Sequence, residues 1–458
     1  MKKIRLSVCV ALAFLFMASC DDFVDVDLPD SLLTGPQVFD DASTVEAAMS
    51  DIYSKLRDEG MLNGSGSGGG ASFGLYADEL KGYYEAGNPL DNIFTNTLLP
   101  SNPAVQTFWS RSYHHIYCAN AVIEGVAASA SLSEAEKARF TSEALFVRAM
   151  VHFYLVNIFG DVPYISTTDF VQNSHAVRMG SAEVYGYIIE DLSLAIGLLP
   201  TEYVSTERAR PNRAAAYAML ARAYLYSQQW AEAADAASAV LNAPDYTIEE
   251  DLDAVFLKEA RSTIWQFKPK ITGDNADEGG AYIFVSTPPP SMSLREDFIS
   301  AFEPGDLRRE HWTKSLTSDA STWYHAYKYK QNTNTGTSLE YSVVLRIEEQ
   351  FLIRAEARAR QGDLLGAQED LNIIRQRAGL PDVVAGSAAE LIEAVMRERR
   401  FELFTEYGHR FFDLKRSQTV DAVLSAVKPG WNITDALWPL PDTELLANPG
   451  LAPQNPGY

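Results

Sequence analysis

Residues 211–242, PNRAAAYAMLARAYLYSQQWAEAADAASAVLN, decide the fold. Pro211 suits a first helical turn, where its missing N–H costs nothing. Tyr217, Leu220 and Tyr224 then recur at i, i+3 and i+7, one face of a helix. A break at SQQ follows. A second helix starts near Trp230, with Ala233, Ala237, Val240 and Leu241 on its inner face and Pro244 ending it. Alanines on facing sides let two antiparallel helices approach closely, and the indole after the turn is expected to plug the gap between them.

The same pattern returns at one constant offset of 134 residues. Ala221, Ala223, Trp230 and Ala233 align with Ala355, Ala357, Leu364 and Ala367. The second copy, FLIRAEARARQGDLLGAQEDLNIIRQRAGL from residue 351, keeps helix, Gly-Asp turn and helix. A looser relative, EALFVRAMVHFYLVNIFGDVPY, closes at Gly160-Asp161. Repeated hairpins with small residues at the crossing follow tetratricopeptide logic. Further helices are expected over 43–58, 105–127, 182–199 and 388–407. The expected fold is therefore mainly α. It is a single domain over 42–458 with a tetratricopeptide-type scaffold near 133–160, 181–243, 346–378 and 388–415. Two long insertions, 60–104 and 245–345, lack that period. They are rich in Gly, Pro, Asn and aromatics, with short β-like pieces such as STIWQF and AYIFVS. Irregular insertions on a rigid frame are where binding concentrates.

Composition limits the partners. The 458 residues carry 38 Lys+Arg against 61 Asp+Glu, a formal charge of −23, with 47% apolar residues. This is a globular composition, and its acidity disfavours nucleic acid, whose phosphates need a basic field. The start, MKKIR followed by LSVCVALAFLFMAS, reads as a signal peptide over 1–19. Met17-Ala18-Ser19-Cys20 resembles the lipobox of bacterial lipoproteins, although Met17 stands where Leu is usual. Cys20 is the expected lipidation site and 20–41 an extended tether. Removing Lys2, Lys3 and Arg5 takes the charge to −26. Of Cys9, Cys20 and Cys118, only Cys118 then remains a thiol, so no disulfide is expected. Cys118 itself reads as a buried small hydrophobe.

Catalytic motifs fail their context tests. GSGSGG at 64–69 matches GxGxxG literally, but a helix rather than a strand precedes it, so it reads as a flexible loop. GxxxxGK[ST], HExxH and GxSxG are missing. His114 and His115 are sequence neighbours and cannot share a helix face. The loop TGDNADEGG (272–280) gathers Asp274, Asn275, Asp277 and Glu278, oxygen ligands suited to a structural calcium, though without EF-hand spacing. No other cofactor is expected. Nothing signals chemistry, so the chain reads as a binder.

Four stretches carry a resemblance: RAMVHFYLVNIFGDVPY, FLIRAEARARQGD, RERRFELFTEYGHRFFDLKR and LPDTELLANPGLAPQNPGY. Together with Asp306 and Arg308 of GDLRR, and in this order, they resemble the SusD/RagB family of outer-membrane nutrient-binding lipoproteins. Tyr407 interrupts the Glu-Gly that members more often show before His/Trp-Arg. The resemblance implies a surface-exposed, lipid-anchored, non-enzymatic protein. It would capture oligo- or polysaccharide and pass it to a SusC-type TonB-dependent barrel. Acids beside Cys20, in DDFVDVDLPDS, resemble an export tag for the cell surface. Peptide capture by the same fold and a surface glycoside hydrolase are the alternatives. The arginines and acids around 397–416 read as fold signature, with Glu393 and Arg397 able to pair at i, i+4.

A glycan site wants exposed aromatic planes edged with polar side chains. The insertions offer Tyr83, Tyr84 and Asn88, preceded by Asp78 and Glu79, then Tyr282, Trp312, Trp323 and Tyr324. Trp109, Trp230 and Trp265 are expected in the core. The acidity favours a neutral polysaccharide over alginate or pectin.

Overall fold

The computed structural model describes residues 35–458. The expected signal peptide, the expected lipidation site Cys20 and the acids after it lie outside them. The helix Arg213–Tyr226 turns back through Gln228 into the helix Trp230–Leu241. Asn212, not Pro211, starts the first: its side chain accepts from the Ala215 N–H at 3.1 Å, satisfying a donor that the first turn leaves open. The second copy is the pair Ile347–Gln361 and Leu364–Arg377. Gly362 makes its turn at φ +87°, left-handed backbone that a side chain would strain. Ala221, Ala223, Ala233, Ala355, Ala357 and Ala367 are all fully buried.

The two copies pack directly on one another, the helix Trp230–Leu241 against Ile347–Gln361. Outward on one side follow Ser181–Leu198, Glu134–Phe159 and Pro103–Ala128; on the other, Ala388–Glu402. Glu134–Phe159 is apolar and long enough to span a bilayer, yet it is buried within the array. A Ser133–Glu136 capping box opens it. Trp109 and Trp265 are core residues, as expected. Trp230 is only half-buried, packed on the core with the Arg360 guanidinium 5.2 Å from its ring. Cys118 is likewise half-buried, its Sγ 3.7 Å from His114.

The insertions carry more regular structure than their sequence suggests. Residues 60–104 include the helices Gly69–Tyr76 and Pro89–Phe94 and the strand β1 (Leu80–Gly82). STIWQF does form a strand, β2 (Thr263–Phe267), but AYIFVS does not; Ala281 and Tyr282 end the helix Asp277–Tyr282. Strands β3 (Met292–Leu294), β4 (Thr313–Ser318) and β5 (Ser321–Ala326) join β1 in an antiparallel sheet ordered β1-β3-β5-β4. β6 (Ser342–Arg346) pairs with β2 and runs straight into the helix Ile347–Gln361. The helix expected to 407 stops at Glu402. GSGSGG is no flexible loop but a packed turn: a Cβ on Gly68 would sit 1.8 Å from the Asn63 carbonyl oxygen.

Candidate functional site

The family-like motifs build an interior, not a cleft. Glu402 accepts from Arg346 Nη1 and Arg377 Nη2, both at 2.5 Å, and from Arg308 Nη1 at 3.1 Å. Burial would raise this carboxyl, but Arg377, Arg346 and Arg308 outweigh it and hold it well below its ordinary range. Asp306 grips Arg308 at 2.8 Å, Glu406 takes Lys328 at 2.5 Å, and Asp413 takes Arg399 at 2.7 Å. All these side chains are buried. Glu393 and Arg397 do pair, at 3.6 Å, but on the surface. The C-terminus closes the same body, with Asn455 Nδ2 donating to the Phe159 and Trp438 carbonyls.

Several expected ligand residues belong to this interior. Trp312 is fully buried. Its Nε1 donates to the Leu252 carbonyl at 2.8 Å, and Lys328, Arg377 and Arg346 lie 5.0–6.0 Å from its ring. It roofs the ion network and cannot stack on a sugar. Tyr282 is buried as well, donating to the Thr405 carbonyl at 3.3 Å. Asp78 is spent on Arg400 (2.9 Å) and Arg410 (2.8 Å); burial opposes its charge, yet these partners hold it at about 2. Asn88 caps the helix Pro89–Phe94 through the Leu90 N–H. Tyr84 packs on the core with its hydroxyl buried and unpaired among the described residues, and burial pushes it to about 12.

Tyr83 and Trp323 are different. Both line one open groove of about 1060 Å³, walled by residues of β1, β3 and β5 and floored by 94–96 and 427–430. Tyr83 is half-buried, its hydroxyl 3.1 Å from Ser293 Oγ. Trp323 is half-buried on β5, opposite Leu316 of β4. Successive strand residues face opposite ways, so Tyr324 lines a separate, shallower hollow with Arg309 and Lys314. Polar groups ring the main groove. Asn96 is buried at its edge, donating to the Tyr76 carbonyl at 3.1 Å while its Oδ1 has no partner among the described residues. Arg295 Nη2 meets Asp297 at 2.7 Å. Lys428 donates to the Leu75 and Phe94 carbonyls, the last turn of one short helix and the end of another. Burial, and then Arg295, lower its amine to about 7.

The loop 272–280 spends its oxygens on separate partners. Asn275 Oδ1 accepts from the Leu339 and Glu340 N–H groups, Glu278 from Ser342, and Asp274 from Asn334. Among the described residues, no group of three or more His, Cys, Asp or Glu side chains is placed to hold a metal ion.

Comparison with known proteins bears on the family and the fold. Residues 83–225 match the family described as "Starch-binding associating with outer membrane", and residues 308–458 match the SusD family. The chain belongs to the SusD/RagB family. A SusD-like protein, P2 of Formosa agariphila, is 29% identical over 424 residues, 79% of this chain and 82% of its own. A SusD superfamily protein from Bacteroides vulgatus superposes with a TM-score of 0.80 at 21% identity, over 91% of this chain and 99% of that one. A structure named as a laminarin-binding SusD-like protein gives 0.75 at 23% identity, over 91% and 99%. The SusD match over 308–458 takes in the ion network from Arg308 to Arg416, so the family motifs mark the interior.

Sequence reasoning missed Lys81, Asn96, Arg295 and Lys428. They come from three distant segments, and only Lys428-Pro429-Gly430, a turn signal after an apolar helix, hints at an exposed rim.

Proposed function

We propose that this SusD-family protein captures oligo- or polysaccharide in the groove between Tyr83 and Trp323. It then passes the chain to a SusC-type TonB-dependent barrel in the outer membrane. One observation carries the reading: two half-buried aromatic rings share a groove whose edges offer amide, hydroxyl and charged side chains. Sugars have flat apolar faces rimmed with hydroxyls, and such a groove meets both. The family description and the laminarin-binding relative support the ligand class. Among the described residues, the carboxylates lining the groove are the consecutive Glu296 and Asp297, and Asp297 is committed to Arg295, which supports binding rather than hydrolysis.

Affinity gels and calorimetry with a glycan panel test this. Retardation by at least one glycan, with no release of reducing ends on long incubation, is the expected result. Retardation by none, or steady release, refutes it. Lipid anchoring belongs to the same reading: incorporation of a palmitate analogue should require Cys20, and labelling that survives Cys20→Ala contradicts it.

A further inference from the structure

The chain as a whole is strongly acidic, but the groove does not share that excess of acid. Its walls present Lys81, Arg295 and Lys428 against Glu296 and Asp297. Arg295 and Asp297 neutralise each other at 2.7 Å. Lys81 is exposed on β1, makes no ion pair among the described residues, and lies 5.3 Å from the Tyr83 ring. Lys428 is buried without a carboxylate partner among the described residues. Two helix-end carbonyls hold it, and helix C-termini carry only partial negative charge. An ammonium has three N–H donors, so one remains without an acceptor among the described residues. In a chain of net charge −23, two amines in one groove, neither facing a carboxylate among the described residues, are a local departure that solubility does not require.

We propose that the groove selects glycans bearing anionic substituents, a uronate carboxylate or a sulfate ester, read by Lys81 and Lys428 while Tyr83 and Trp323 stack on the sugar rings. This rests on the glycan-capture reading above and replaces the neutral polysaccharide favoured by the overall charge. An anion beside an ammonium forms a charge-assisted hydrogen bond stronger than a contact between neutral groups. It also changes protonation. Burial, and then Arg295, lower the Lys428 amine to about 7, with Asp78 opposing them. A bound anion favours its charged form, so binding above that value takes up a proton and binding below it does not.

Isothermal titration with the full chain decides the matter. The probes are oligogalacturonate, alginate oligosaccharides and sulfated carrageenan oligosaccharides, set against laminari- and malto-oligosaccharides. At least one acidic probe should bind more tightly than both neutral ones, and weaken about tenfold between 50 and 500 mM salt. Lys81→Gln should weaken that probe and leave the thermal melt unchanged. In buffers of different ionisation enthalpy, binding at pH 8 should take up most of a proton and binding at pH 6 almost none. Neutral probes binding best, with affinity indifferent to salt, overturn the anionic preference and leave glycan capture standing. Acidic binding without proton uptake and untouched by Lys81→Gln overturns the role of these amines. If no probe of either kind binds, glycan capture fails with it.

Discussion

Trp312 and Trp323 stand eleven residues apart in the same insertion and live in opposite surroundings. Around Trp312 nearly every charge is matched: Arg308, Arg346 and Arg377 converge on Glu402, and Lys328 on Glu406. Around Trp323 the groove leaves Lys81 without an ion pair and the Asn96 Oδ1 without a hydrogen bond among the described residues. The contrast separates scaffold from recognition. A desolvated charge must find its partner within the chain or cost several kcal/mol, whereas a binding surface is useful only where something is left to satisfy.

The largest test removes the hub of the matched region. Glu402→Ala leaves three guanidinium groups without their shared acceptor and should cost about 3–5 kcal/mol, seen as a large drop in the urea midpoint. A melt close to wild type would mean that the interior tolerates uncompensated charge, and the contrast would collapse.

The two indoles test it next. Trp312→Ala should cost about 3–5 kcal/mol of stability, because it empties a fully buried site. Trp323→Ala should leave the melt unchanged and lose about 1–3 kcal/mol of glycan affinity, by analogy with bases stacked on aromatic side chains. Melts and titrations on both variants read the difference, and exchanged phenotypes would reverse the assignment.

The smallest test lies where the regions meet, since six residues of chain lead from the buried Asp78 to Tyr83 in the groove. Burial, and then the neighbouring Asp78, raise the Glu79 carboxyl to about 8. A folded value above the unfolded one makes this group most favourable below about pH 4.5, with stability lost as pH rises towards 8. Glu79→Gln should therefore raise the melting temperature by a few degrees at pH 8 and change little at pH 4. Asp78 runs the other way: held at about 2, it contributes stability above its unfolded value that disappears as pH falls towards 2. Equal melts for Glu79→Gln and wild type at both pH values would show that Glu79 is solvated.

The helical frame was legible because alanine spacing repeats at an offset of 134 residues and a 3.6-residue period survives any tertiary context. Its edges were less so: Pro211 looked like a first turn, but Asn212 has the side-chain acceptor that a cap needs. Of the candidate aromatics, Tyr83 and Trp323 line one groove. Trp312 and Tyr282 were misplaced because composition cannot tell an indole roofing arginines from one facing solvent. Trp323 and Tyr324 were separable in principle, since strand alternation forbids adjacent residues a common face. Lys428 and Asn96 were not, because only the fold brings 94–96, 293–297 and 427–430 together.

The pairing of β2 with β6 has a further consequence. The chain leaves the frame after Leu241 and re-enters it at Ile347, and those two helices are packed neighbours. The β2–β6 ribbon fastens the neck of everything between, so the intervening segment departs and returns at one point. Insertions and deletions there leave the helical register untouched, and lengthening a loop costs only slowly growing closure entropy. Selection can therefore rewrite β3, the β4–β5 hairpin and the groove wall they supply as an exchangeable cassette. Nutrient preference in this architecture can diverge faster than the body that carries it.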